Sequence, residues 1–134
     1  MNLDSFPTDL RAAVHAAQNK LSFGVTVLDL RELRTFTGYF LICSAASSAQ
    51  ANAIAEEIEA RLEALGTRVM HREGARAGQW VLLDYGGFIA HIFHEQARQF
   101  FDLERLWRHA RRFEVPDDHP RHAGELNATT DKRR

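Results

Sequence analysis

Apolar positions along this chain recur with two periods, one helical and one strand-like, and stretches of each alternate. Leu10, Val14, Ala17 and Leu21 fall at helical spacing behind Pro7 and Thr8. They predict a first helix capped by Thr8, with a stripe thin enough to pack on one side only. Val25 to Leu30 and Tyr39 to Ser44 are rich in β-branched and aliphatic residues and predict two strands. The polar stretch Arg31 to Gly38 between them predicts a loop or turn. Ser47 and Ser48 open the strongest helical pattern, where Ala51, Ile54, Ala55, Ile58, Leu62 and Leu65 form one stripe. Gly66 follows that stripe and predicts its end. Thr67 to His71 predicts the start of a third strand, and Gly74 to Gly78 a flexible polar break.

Trp80 to Tyr85 and Phe88 to Phe93 are two strand-like runs around Gly86 and Gly87. That arrangement predicts a hairpin with a two-residue turn, in which both glycines can take positive φ. Glu95 to Arg111 predicts a last helical stretch, broken into two near Phe101 and Asp102. From Val115 onward the apolar pattern stops, so residues 114–134 are expected to form a disordered polar tail on a single domain of residues 1–113. The element order fits an α/β (α+β) fold, a mixed β-sheet of about five strands flanked by helices.

The hairpin register sorts its side chains by face. Tyr85 with Phe88, Leu83 with Ala90, and Val81 with Ile92 make one apolar face that should lie on the core. Asp84 with Ile89, Leu82 with His91, and Trp80 with Phe93 make the other. This mixed face has two readings. A second helix layer can cover it, or it is an interface with an aromatic centre and a polar rim.

Composition narrows the picture. The 134 residues suit one domain, and 45% hydrophobic with 26% charged residues is enough to build a core without disulfides or metal. The single cysteine, Cys43, sits in an apolar run and has no partner for an internal bridge, which fits a reducing, cytoplasmic setting. Asp4 and Asp9 near the start argue against a signal peptide, and no run approaches the ~20 apolar residues that span a bilayer. A net charge of −1 excludes a sequence-blind grip on nucleic acid by the whole chain. Any such contact needs a local patch, such as Arg108, Arg111, Arg112, Arg121 and the terminal Lys132 to Arg134, where interspersed acids favour a solvated tail.

Several segments, taken in order, carry a resemblance. Val27 to Arg31, Thr35 to Ser44, His71 to Gly74, Trp80 to Gly86, His91 to Glu95 and Phe101 to Trp107 together resemble the ribosomal silencing factor family, also called iojap-related. The resemblance covers roughly Leu10 to Trp107. It implies a nucleotidyltransferase-like fold without the catalytic residues, and a translational repressor that needs no cofactor. Such a protein binds the large ribosomal subunit through its ribosomal protein fourteen, with at most a minor contact to ribosomal RNA. It blocks joining of the small subunit and so lowers translation under nutrient limitation or in stationary phase. A homodimer off the ribosome is implied as well, and a role in large-subunit assembly through the same surface is the alternative. The partner-binding positions implied are Trp80, Leu82, Asp84, Tyr85, Gly86 and His91. Two positions depart from the family's habit: Gly38 and Gly87 stand where an acid is common.

Tyr85 sits uneasily in this set, because the two-residue register puts it on the face opposite Trp80. Either it projects past the sheet edge or the turn has another register. Three chemical readings are weak. His91, His94 and Glu95 suggest a metal site, but residues three apart on a strand face opposite ways and no spacing supplies a third ligand. His91 more naturally hydrogen-bonds on the mixed face, with Asp84 diagonally across as a candidate. Cys43 has no recognisable base partner. Nucleotidyl transfer needs paired acids to hold magnesium, and no second acid follows Asp29 in a D-x-D pattern. The sequence therefore predicts a binding protein and not an enzyme.

Overall fold

The computed structural model describes residues 2–74 and 79–117. Its elements run α1 (Thr8–Asn19), β1 (Phe23–Asp29), β2 (Tyr39–Ala45), α2 (Ser48–Ala64), β3 (His71–Glu73), β4 (Trp80–Asp84), β5 (Phe88–His94), α3 (Glu95–Phe101), α4 (Leu103–Leu106) and β6 (Arg111–Glu114). The strands form one six-stranded sheet in the order β3-β4-β5-β2-β1-β6. Only β2 and β5 run parallel, so the sheet is mixed, as the element order predicts.

Alternation along the strands divides the core in two. On one face Val27, Leu41, Cys43, Val81, Leu83 and Ile92 lie under α1 and α2, all fully buried. On the other, Leu28, Phe40, Ile42, Ile89 and Phe93 meet α3 and α4 through Ala97, Leu103 and Trp107. The first face is a closed core. The second is smaller and only partly covered.

Local chemistry explains the elements. The Ser47 hydroxyl accepts from the Gln50 N–H at 3.0 Å and caps α2. The helix ends where Thr67 N–H returns to the Leu62 carbonyl and Gly66 N–H to that of Glu63. Thr8 is the first residue of α1 and not its cap; Pro7 takes the cap position without a side-chain bond. Leu21 lies beyond the helix and is exposed, so the buried stripe is Leu10, Ala13, Val14, Ala16 and Ala17.

The C-terminal expectations need two corrections. Arg111 is not helical. It begins β6, which pairs with β1 from Asp29 to Thr26. The folded body also runs past residue 113, where the sequence reading ended it: Glu114 pairs with Thr26, and Val115 is buried. Val115 N–H bonds the Val25 carbonyl, and Gln18 Nε2 donates to the Pro116 carbonyl at 2.9 Å. An apolar pattern of one phenylalanine and one valine is too short to signal a strand; tertiary pairing makes it one. The rest of the expected tail, residues 118–134, lies outside the described residues, as do residues 75–78 of the expected break.

Candidate functional site

The hairpin forms in the register the sequence predicts. Trp80 opposes Phe93, Leu82 opposes His91, and Asp84 opposes Ile89. Tyr85 N–H closes the pair by donating to the Phe88 carbonyl at 2.9 Å. Only Gly86 of the two turn glycines has positive φ, at 83°. The Asp84 carboxylate accepts from the Gly86 N–H at 2.8 Å, fixing the turn and occupying one of its oxygens.

Trp80, Leu82 and Asp84 therefore stand in a row on β4, each half-buried. Helix α3 packs on β5 and β2, leaving this row at the uncovered side of the sheet. The Trp80 ring leans on Phe93 at 4.8 Å and on Phe101 of α3 at 5.0 Å between centroids. Further aromatic rings extend the surface in both directions. Phe100, 82% exposed, meets Phe101 edge-on, and Phe36, 72% exposed, meets Trp107 and Phe40. Large exposed apolar groups in one neighbourhood are the usual mark of a binding surface.

His91 lies behind Trp80, 4% exposed. Its Nδ1 sits 3.1 Å from the indole Nε1, which donates to it. The imidazole's pKa is lowered to about 4 by burial. The expected bond to Asp84 is thus replaced by one to Trp80, because Asp84 turns its carboxylate to the Gly86 backbone.

Tyr85 is the clearest departure from the expected site. It lies in the closed core, 7% exposed, stacked on Phe88 at 5.1 Å. It does not project past the edge, and the register is two-residue, so it is separated from Trp80 by the sheet. Its hydroxyl is buried without a partner among the described residues, and burial pushes its pKa up to about 12. The structure thus brings together Trp80, Leu82 and Asp84, with Gly86 at the end of the row and His91 beneath it.

Some supporting residues were not singled out by sequence reasoning. Gly74 has φ +84°, and a Cβ there would stand 1.9 Å from the Trp80 carbonyl oxygen. Only glycine lets the chain pass so close to the strand that carries the tryptophan. Phe101 ends α3 at the break the sequence predicts, with Asp102 left-handed between α3 and α4, and its ring also props Trp80 from outside the sheet. Arg98 fastens α3 and α4 to the sheet. Its guanidinium pairs with both oxygens of Glu104 at 2.9 Å and donates to the Gly24 carbonyl and the Ser44 and Thr26 hydroxyls. Arg98 and Arg112 together hold the Glu104 carboxyl below its usual range. No one-dimensional spacing announces a contact between residues so far apart in sequence.

The other candidate chemistries are occupied elsewhere. Both Asp29 oxygens accept from Arg31, at 2.9 and 2.8 Å. His94 caps α3 by accepting from Gln96 N–H. Cys43 is fully buried, and desolvation pushes its thiol up to about 12. Among the described residues, no group of three or more His, Cys, Asp or Glu is gathered to hold a metal ion. Gly38 and Gly87 lie against each other. Gly38 N–H donates to the Gly87 carbonyl at 3.1 Å, and Thr37 Oγ1 to the Gly86 carbonyl at 2.9 Å.

A mixed sheet with one closed helical face and one half-open aromatic face defines a small α+β protein whose distinctive feature is a surface rather than a cleft. The family described as "Ribosomal silencing factor during starvation" matches residues 3–134. The ribosomal silencing factor of Bacillus subtilis is 36% identical over 98 residues, 73% of this chain and 83% of that protein. The chloroplastic protein Iojap of Zea mays is 33% identical over 103 residues, 77% of this chain and 45% of that longer protein. A crystal structure of a Bacillus halodurans protein, 32% identical, superposes with a TM-score of 0.70 over 79% of this chain and 96% of the other. One from Chromobacterium violaceum, 23% identical, reaches 0.73 over 90% and 98% and shares the fold. The chain belongs to the ribosomal silencing factor family, which is named for silencing and not for a catalytic activity. Among the described residues, no helix is long and apolar enough to cross a membrane.

Proposed function

We propose that this protein represses translation by occupying the large ribosomal subunit. It docks on ribosomal protein fourteen of that subunit through the β4 row, and its bulk then blocks the small subunit. It acts in the cytoplasm under nutrient limitation, by occlusion and without catalysis or cofactor. The observation that carries this reading is the half-open row of Trp80, Leu82 and Asp84 beside exposed aromatic rings, in a chain of the silencing-factor family. Gly86 and the Asp84 turn lie at the end of the row. Tyr85 takes no direct part, being on the other side of the sheet.

The test is subunit joining with purified ribosomes, titrating in the wild type and Trp80→Ala. Wild type is expected to prevent joining. Trp80→Ala is expected to bind free large subunits about 30-fold more weakly, the scale of a central aromatic anchor. Because the indole also packs on Phe93 and Phe101, thermal stability is measured in parallel. Normal joining in the presence of wild type sinks the silencing reading. Retained binding by a destabilised Trp80→Ala sinks the anchor.

A further inference from the structure

We infer that His91 is a positioning residue for Trp80: its imidazole accepts the indole N–H and sets the plane in which the indole meets its partner. The inference rests on the docking reading above and deepens it, since it gives His91 a role without direct contact. At 4% exposure His91 offers a partner almost no surface. What it offers is an acceptor, 3.1 Å from an indole nitrogen that can only donate.

That single bond fixes the protonation of the ring. The indole N–H requires a lone pair on Nδ1, so the proton of the neutral imidazole resides on Nε2. Nε2 is buried and has no hydrogen-bond partner among the described residues. The Phe40 ring stands 4.5 Å away at 76°, packed edge-to-face with the imidazole. Burial keeps the imidazole neutral through the physiological range, so the acceptor is always present.

The neighbours restrict the indole in other directions. Phe93 opposes Trp80 across the strands, and Phe101 leans on it from α3. These contacts limit how far the ring can swing but cannot tell one edge of it from the other. A hydrogen bond to Nε1 can. The edge facing away from His91 is the edge left for a partner. A side chain held in its bound rotamer loses less freedom on association, which is the general advantage of preorganisation.

The experiment compares His91→Asn, which keeps an oxygen near the position of Nδ1, with His91→Leu, which does not. Three quantities are read in the full chain: the Trp80 indole N–H resonance and its hydrogen exchange, the affinity for purified free large subunits, and thermal stability. Trp80→Phe assigns the resonance against that of Trp107. Both His91 variants are expected to lose stability. His91→Asn should keep a slowly exchanging indole proton and an affinity within about twofold of wild type, whereas His91→Leu should shift and expose that proton and bind about tenfold more weakly. An indole resonance unchanged in His91→Leu overturns the inference. So do equal losses of affinity in both variants that track stability. Failure of the docking reading looks different: Trp80→Ala would then bind normally, while the indole resonance would still report on the bond to His91.

Discussion

Leu82 and Leu83 are neighbours on β4 and lie on opposite sides of the sheet. Leu83 is fully buried in the closed core beneath α1 and α2. Leu82 is half-buried in the open row beside Trp80 and opposite His91. Leu83 shares its face with Val81, Tyr85, Phe88, Ala90 and Ile92, with Arg72 opposite on β3; around Leu82 the neighbours are aromatic, acidic and imidazole. The same strand thus serves stability with one face and recognition with the other. The single-residue step between them makes the division testable, because both leucines sit on the same strand and differ only in the face they occupy.

The largest expected effect is on the closed face. Leu83→Ala should lower unfolding free energy by about 3 kcal/mol, from lost transfer energy and an unfilled cavity. Chemical denaturation reads this, and large-subunit binding by the protein that remains folded should match wild type. Weakened binding without unfolding would erase the distinction between the faces.

Acid should act next, through the mixed face. His91 is ordinarily half-protonated near pH 6.5 but in the fold only near about 4. Between those values the unfolded chain binds more protons than the native one, so stability rises with pH and falls on acidification. The loss from pH 6.5 to 4 should approach about 3 kcal/mol for this group, and His91→Asn should flatten the slope over that window. Parallel slopes in the two proteins would place the acid sensitivity elsewhere.

Leu82→Ala is smaller on the stability scale, about 1 kcal/mol for a half-exposed leucine. It should nevertheless reduce large-subunit affinity by about fivefold to tenfold, reversing the order of the two leucines when binding replaces denaturation as the readout. An affinity equal to that of Leu83→Ala would count against the β4 row as the docking surface. The least effect is expected of Gly87→Glu. Its Cβ meets nothing within 4 Å and its φ is not positive, so stability should change by no more than about 0.5 kcal/mol. Any change in affinity would then report the added charge.

Much of this division is legible in the sequence. Period-two alternation around Gly86 and Gly87 predicts every observed pair of the hairpin, because a two-residue turn leaves the register no freedom. It also separates Tyr85 from Trp80, against the resemblance, and the stacked, buried Tyr85 agrees with the alternation. What escapes is whatever depends on distant residues. His91 chooses Trp80 over Asp84 because the turn backbone claims the acid. Phe101 supports the indole from a helix placed by Arg98, whose partners reach back to β1 and β2. β6 is a strand only because β1 presents an edge to it.

That last strand bears on how the protein is made. Residues 111–114 complete the hydrogen bonds of a strand synthesised some eighty positions earlier, and Val115 and Pro116 then tie down its neighbourhood beside Gln18. Until they emerge, β1 has a free edge open to any other chain, the situation in which strands aggregate. The native sheet is therefore finished only once residue 114 has emerged, and a nascent chain stopped at Ala110 would carry nearly all of the surface proposed to silence a ribosome while lacking the strand that protects β1.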